Sequence, residues 1–233
     1  MRCFQRHGGL LILCGGLLLQ ATEPVPTNPF DGAIRDFELA DQKTPPPRHP
    51  VLFVGSSSFR VWTNLPTAFP EWPALNRGFG GSTMADLLHF YPRVVQVYSP
   101  RVILVYEGDN DLAQGTPVTV VLDRYRQFLE RVQRDLPETP VVLLAVKPSP
   151  QRLHLLEAQR AVNAGLLRFA TDRSKVIYAD TASPILGPDG EPNPRLFLPD
   201  RLHLNSLGYD QWRPVLHAAI RQAMGAPTRP LTE

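Results

Sequence analysis

A serine hydroxyl attacks only when a neighbouring base takes its proton. A chain able to do such chemistry must therefore offer a serine, a base and donors for the negative charge that develops. Gly55-Ser56-Ser57-Ser58 offers the serine. An apolar run, Val51 to Val54, feeds into it and an amphipathic stretch to Trp62 follows, the pattern of a buried strand turning sharply into a helix. The alternative for this stretch alone is a serine-rich turn capping the next helix; a phosphate cradle fits less well, because the lysine and extra glycines of a P-loop are missing.

Asp200-Arg201-Leu202-His203 offers the base. An aspartate three residues before a histidine can hold one ring nitrogen and leave the other to accept a proton, although a lone histidine is more often structural or solvated. Two further stretches offer donors. In Asn76-Arg77-Gly78-Phe79-Gly80-Gly81-Ser82-Thr83, three glycines in four positions let the backbone approach a ligand and present N–H groups, while Ser82 or Thr83 could simply cap a helix. In Glu107-Gly108-Asp109-Asn110-Asp111, the Asn110 amide could donate to an oxyanion; the alternative is a polar turn. A calcium loop is set aside, for want of a glycine at its sixth position and a glutamate at its twelfth.

The elements that must position these stretches alternate. Strands are expected at Val51 to Val54, Ala74 to Asn76, Val102 to Tyr106, Val141 to Val146 and Val176 to Ala179, and helices at Ser58 to Trp62, Thr83 to Tyr98, Val118 to Leu136, Leu153 to Thr171 and Ser206 to Met224. Such alternation implies right-handed crossovers and a parallel sheet covered by helices on both faces, with functional residues at the carboxyl ends of its strands. Ahead of it, residues 22–50 read as a proline-rich leader with a short helix between Phe30 and Gln42 that packs on the outside of the domain.

With 233 residues, 43% hydrophobic and 20% charged, the chain suits one globular domain. Its formal charge of +2, with no basic cluster, argues against nucleic acid. Residues 1–21 read as a signal peptide: Arg2 and Arg6 precede an apolar stretch from Gly8 to Leu19, shorter than the ~20 residues of a membrane helix. Export without stable membrane insertion is expected. A lipoprotein reading through Cys14 competes, against Leu13 where a small residue belongs. Cleavage would remove both cysteines, Cys3 and Cys14, and with them any disulfide or thiolate chemistry. Nothing in the sequence selects an oligomeric state.

Taken in order, the four stretches resemble the sequence blocks of the SGNH hydrolases, also called the GDSL esterase/lipase family: Gly55-Ser56-Ser57, Gly80-Gly81-Ser82, Gly108-Asp109-Asn110-Asp111, and Asp200 to His203. The resemblance runs from about Val51 to Met224. It implies a domain over 51–225 followed by a tail at 226–233, folded as a flavodoxin-like three-layer α/β/α sandwich on a five-stranded parallel sheet. It further implies Ser57 as nucleophile, His203 as general base and then acid, Asp200 as its orienter, and an oxyanion hole made by the backbone N–H groups of Ser57 and Gly81 with the Asn110 side chain. The function it implies is an exported serine esterase acting on a small-molecule or carbohydrate ester, without cofactor or metal. An O-acyltransferase would use the same triad. A non-catalytic module on the same fold that binds carbohydrate or another ligand is the remaining alternative, supported by Ser56 where the family carries aspartate.

Overall fold

The structure is a computed structural model and describes residues 28–225. The expected signal peptide and C-terminal tail, 1–21 and 226–233, lie outside the described residues. Five parallel strands form one sheet: β1 (Val51–Gly55), β2 (Ala74–Gly78), β3 (Val102–Tyr106), β4 (Val141–Leu144) and β5 (Val176–Ala179), in the order β2-β1-β3-β4-β5. The helices are α1 (Asp31–Lys43), α2 (Ser57–Arg60), α3 (Leu65–Ala68), α4 (Met84–Val94), α5 (Asp109–Ala113), α6 (Val118–Asp135), α7 (Leu156–Asp172) and α8 (Ser206–Ala223). The chain winds outward in both directions from β1, so the strand order reverses between β1 and β3. Ligands collect at such a switch point. The loop bearing Ser57 and the loop bearing Asn110 leave the sheet side by side there.

Successive strand residues face opposite sides, and both sides are apolar because both are covered. Leu52, Val54, Ile103, Val105 and Leu143 pack under α4, α6 and α7. Val51, Phe53, Val102, Leu104, Val142 and Leu144 pack under α2, α3 and α8. The result is the expected three-layer α/β/α sandwich. Phe79, Tyr106 and Trp212 are fully buried in these cores.

Several boundaries differ from the sequence expectation for identifiable reasons. Strand β4 ends at Leu144 because the Asn163 side chain takes over from a neighbouring strand, accepting from the Val146 N–H and donating to the Val146 carbonyl. Helix α4 contains Pro92 and stops at Val94; a 3₁₀ turn over Gln96–Tyr98 follows. The stretch ahead of α7 begins as 3₁₀ turns over Pro150–Leu155, with Arg152 out of helical geometry.

The leader helix α1 is packed more deeply than expected. Ile34 is fully buried in the core beneath α4, and Phe30 meets the Phe79 ring edge-on at 5.4 Å. Arg93 bridges Asp31 and Glu38, and Arg77 pairs with Asp41. The Arg93 pairs are half-exposed and contribute at most about 1 kcal/mol each, whereas Arg77 is buried. Burying an Ile or Phe side chain contributes about 1.5–3 kcal/mol. Apolar contact at Ile34 and Phe30 and the buried Arg77–Asp41 pair together hold α1 in place.

Candidate active site

The turn after β1 is held by backbone contacts. Gly55 has φ +136°, and a side chain on it would stand 2.0 Å from the Tyr106 carbonyl oxygen, so only glycine fits where β1 lies against β3. Ser56 donates its N–H to the Tyr106 carbonyl, and its own carbonyl accepts from the N–H groups of Phe59 and Arg60, which opens α2. Ser56 and Ser58 are buried by this arrangement, whereas Ser57 is half-exposed at the helix start. The hydrogen bonds that shape the turn at Ser56 are made by its backbone.

His203 Nε2 lies 2.8 Å from Ser57 Oγ, and His203 Nδ1 lies 2.7 Å from Asp200 Oδ2. The other Asp200 oxygen accepts the backbone N–H groups of Leu202 and His203 at 2.9 and 3.0 Å. The aspartate therefore fixes its own turn, in which Arg201 takes the left-handed conformation at φ +58°. Partial burial pulls the Asp200 carboxyl upward, but the hydrogen bonds from the His203 ring and from these N–H groups outweigh it and hold it down at about 2.

The glycine-rich stretch leaves β2 and turns into α4 through a capping box: the Thr83 side chain accepts the Asp86 N–H while Asp86 accepts the Thr83 N–H. Thr83, not Ser82, is the cap. Gly81 has φ +90° and is exposed, with Phe30 the nearest side chain in the direction a Cβ would take, at 3.9 Å. Neither the Gly81 N–H nor the Ser57 N–H donates to an acceptor among the described residues. Asn110 lies in the first turn of α5, and its Nδ2 donates to the Ser82 carbonyl at 2.9 Å.

A second carboxylate layer braces these loops from below. Asp111 accepts the Met84 N–H at 2.9 Å and pairs with Arg124 at 2.8 Å, tying the start of α4 to α5 and α6. Glu107 is fully buried, with Ser82 Oγ 2.6 Å from its Oε1 and 2.9 Å from the Phe79 carbonyl. Burial above all, with Asp111, Asp86 and Asp109 nearby, pushes the Glu107 carboxyl well above the usual range, against the opposing hydrogen bond from Ser82. The serine has one proton and the Phe79 carbonyl can only accept. A neutral Glu107 donating to Ser82, which donates to Phe79, satisfies both contacts.

The structure thus brings together every residue singled out from the sequence: Ser57, His203 and Asp200 in one hydrogen-bonded line, with Gly81 and Asn110 on the adjoining loops. Sequence reasoning missed Arg152 and Lys147, which reach this cluster from the loop after β4, and Phe30 from the leader. The only signal for the two cations was their position after a strand's carboxyl end. The triad is open: side-chain exposure is 20% for His203 and 47% for Asp200. A cavity lined by Val141, Val176 and Lys175 among others lies at the opposite, amino-terminal end of the strands. Among the described residues no cluster of three or more His, Cys, Asp or Glu side chains is arranged to hold a metal.

A parallel α/β sandwich carrying a serine–histidine–aspartate line at the carboxyl end of its sheet defines a serine hydrolase class. Residues 51–211 match the GDSL-like lipase/acylhydrolase family, and the chain belongs to that family. It is accordingly a serine hydrolase acting on ester bonds. Similar solved structures include a candidate acylhydrolase from Bacteroides fragilis, with 23% identity over 82% of this chain and 98% of that one and a TM-score of 0.71. A GDSL-like lipase from Bacteroides thetaiotaomicron matches at 21% identity over 82% and 98%, with a TM-score of 0.68. A catalytic mutant of an acetylxylan esterase from Geobacillus stearothermophilus matches at 14% identity over 78% and 96%, with a TM-score of 0.58. No curated protein matches the chain.

Proposed function

We propose that the chain is an exported esterase that removes short acyl groups from carbohydrate or other small-alcohol esters through an acyl-enzyme on Ser57. The observation that carries the catalytic part is the continuous line Asp200–His203–Ser57, with both contacts under 3 Å. Ser57 Oγ attacks the ester carbonyl carbon as its proton passes to His203 Nε2. The oxyanion faces the N–H groups of Ser57 and Gly81 and the amide of Asn110. The carbon–oxygen bond to the alcohol breaks, and the alcohol takes the proton from Nε2. Water then adds to the acyl group, giving its proton to the same nitrogen. Collapse releases the acid and returns that proton to Ser57. Asp200 keeps Nδ1 as the donor side of the ring throughout, so Nε2 is the acceptor when Ser57 is to be deprotonated.

The exposed triad supports a bulky alcohol, since a sugar could approach the His203 and Asp200 side chains without a cover having to move. The likeness in fold to an acetylxylan esterase agrees with that choice. Export rests on the charged-then-apolar pattern of residues 1–21; no helix among the described residues is long and apolar enough to cross a membrane. The test is a fluorophosphonate probe followed by peptide mapping, together with acetate release from acetylated xylo-oligosaccharides. Labelling at Ser57, reduced in His203→Ala, and release of acetate are expected. A probe adduct elsewhere, or a Ser57→Ala protein with parental activity, would overturn the assignment. Diversion of product into new esters when polyols are added would instead identify an acyltransferase.

A further inference from the structure

The segment joining β4 to α7 has no part in the mechanism above, yet it places two cations beneath it. Lys147 is fully enclosed, with 1% of its side chain exposed, and Arg152 is mostly buried. Arg152 forks. Its Nη1 lies 2.7 Å from Asp109 Oδ1, and its Nη2 donates to Asn110 Oδ1 at 3.0 Å. On the other side of the same amide, Asn110 Nδ2 donates to the Ser82 carbonyl at 2.9 Å. A guanidinium only donates and a carbonyl only accepts, so these neighbours allow the amide one orientation. Ser82 occupies one of the two Nδ2 protons, and the second is the one left for a ligand.

Lys147 extends this frame to the base. Its Nζ donates to the Leu202 carbonyl at 2.9 Å and lies 3.4 Å from Asp109 Oδ2. The Gln151 N–H donates to the Arg201 carbonyl at 3.0 Å. A single loop therefore grips the Asp200–His203 turn with one hand and Asn110 with the other. Burial alone would raise Asp109, but Lys147 and Arg152 outweigh it and keep the carboxyl below its ordinary value. The site thus holds an ionised carboxylate between two cations.

We infer that Arg152 is a positioning residue of the oxyanion site, holding the Asn110 amide so that an N–H, and not the amide oxygen, meets the developing charge. The inference rests on Asn110 being the donor proposed above. An amide turned by half a revolution would present an acceptor to an oxyanion, which is worse than no side chain at all. A cation on the amide oxygen also polarises the group and strengthens its N–H as a donor. Lys147, through Asp109 and the Leu202 carbonyl, registers the histidine turn against the same frame.

Arg152→Lys tests this. The lysine keeps a positive charge for Asp109 but cannot fork to two acceptors as the planar guanidinium does. The expected result is a folded protein whose kcat for an aryl acetate falls about 10- to 10²-fold with KM little changed. In an Asn110→Ala background, itself down by about 10²- to 10³-fold, Arg152→Lys should add no further loss. A merely structural arginine would lower both backgrounds alike. Parental kcat in Arg152→Lys, or full additivity with Asn110→Ala, would overturn the inference and leave the esterase reading intact. An Asn110→Ala protein at the parental rate would sink the donor assignment and the inference with it.

Discussion

Ser57 and His203 are 146 positions apart in the chain, and their Oγ and Nε2 atoms are 2.8 Å apart in space. Of the three adjacent serines, only Ser57 is exposed enough to be reached and faces the histidine. Ser57→Ala should abolish fluorophosphonate labelling. Ser56→Ala should keep it, because the turn is built from the Ser56 backbone. Intact-mass measurement of the probe adduct decides between them.

Asp200 gives a signed pH prediction. Its carboxyl is held at about 2 in the folded protein, against about 3.9 in an unfolded chain. The stabilising contribution is thus fully present above about pH 3.9 and is lost as pH falls toward 2. Asp200→Asn should lose catalysis by about 10²-fold or more across neutral pH, because the ring loses its orienting anion. Its stability deficit relative to the parent should shrink below pH 3.9. Activity profiles and thermal melts from pH 3 to 8 read both effects.

Glu107 has the opposite sign. A carboxyl kept neutral by burial binds a proton in the folded state that the unfolded state gives up above about pH 4.3. Stability therefore declines as pH rises from there toward the folded-state value. Glu107→Gln, which can still donate to Ser82 Oγ, should keep near-parental kcat and show a Tm advantage that widens between pH 5 and 8. Glu107→Ala should lose both stability and rate. A Gln variant whose Tm tracks the parent at every pH would contradict a neutral Glu107.

The Phe30 ring stands beside Gly81. Phe30→Ala should leave kcat for an acetyl ester within a few-fold of the parent while changing the relative KM values of acetyl, butyryl and longer acyl esters. Loss of its contact with Phe79 should cost about 1–3 kcal/mol, visible in urea unfolding.

What the sequence made legible followed from local rules. Apolar runs with no polar face are the five buried strands, and glycines and small polar residues at their carboxyl ends mark the loops where the chain turns. The single-turn helix α5 was hidden because its residues, Asp109, Asn110 and Asp111, have the composition of a turn; what makes them helical is Gly108 at φ +100° ahead of them and Asp111 reaching across to Met84. Lys147 and Arg152 were hidden for a different reason. They lie among Pro148, Ser149 and Pro150, with no residue type that announces chemistry, and acquire their role only when β4 brings them beside Asp109. Ile34 looked like part of one face of an outlying helix, and Phe30 like its start, because the groove that receives them is built from α4 and Phe79, far along the chain.

The docking of α1 also decides which end of the protein can be handled. The Phe30 ring lies beside Gly81, and Asn28 is only two residues earlier, so the described chain begins on the Gly81 side of the molecule. The last helix runs the other way: it starts after the His203 turn and ends at Ala223, beside Pro140 and Val176 at the far end of the strands. A tag, carrier domain or surface tether joined ahead of Asn28 is expected to hinder a bulky ester more than a small one. One joined after Gly225 would leave the approach clear. Immobilising the enzyme by each end in turn, and comparing rates on a small aryl ester with rates on a polymer, would turn that asymmetry into a measurement.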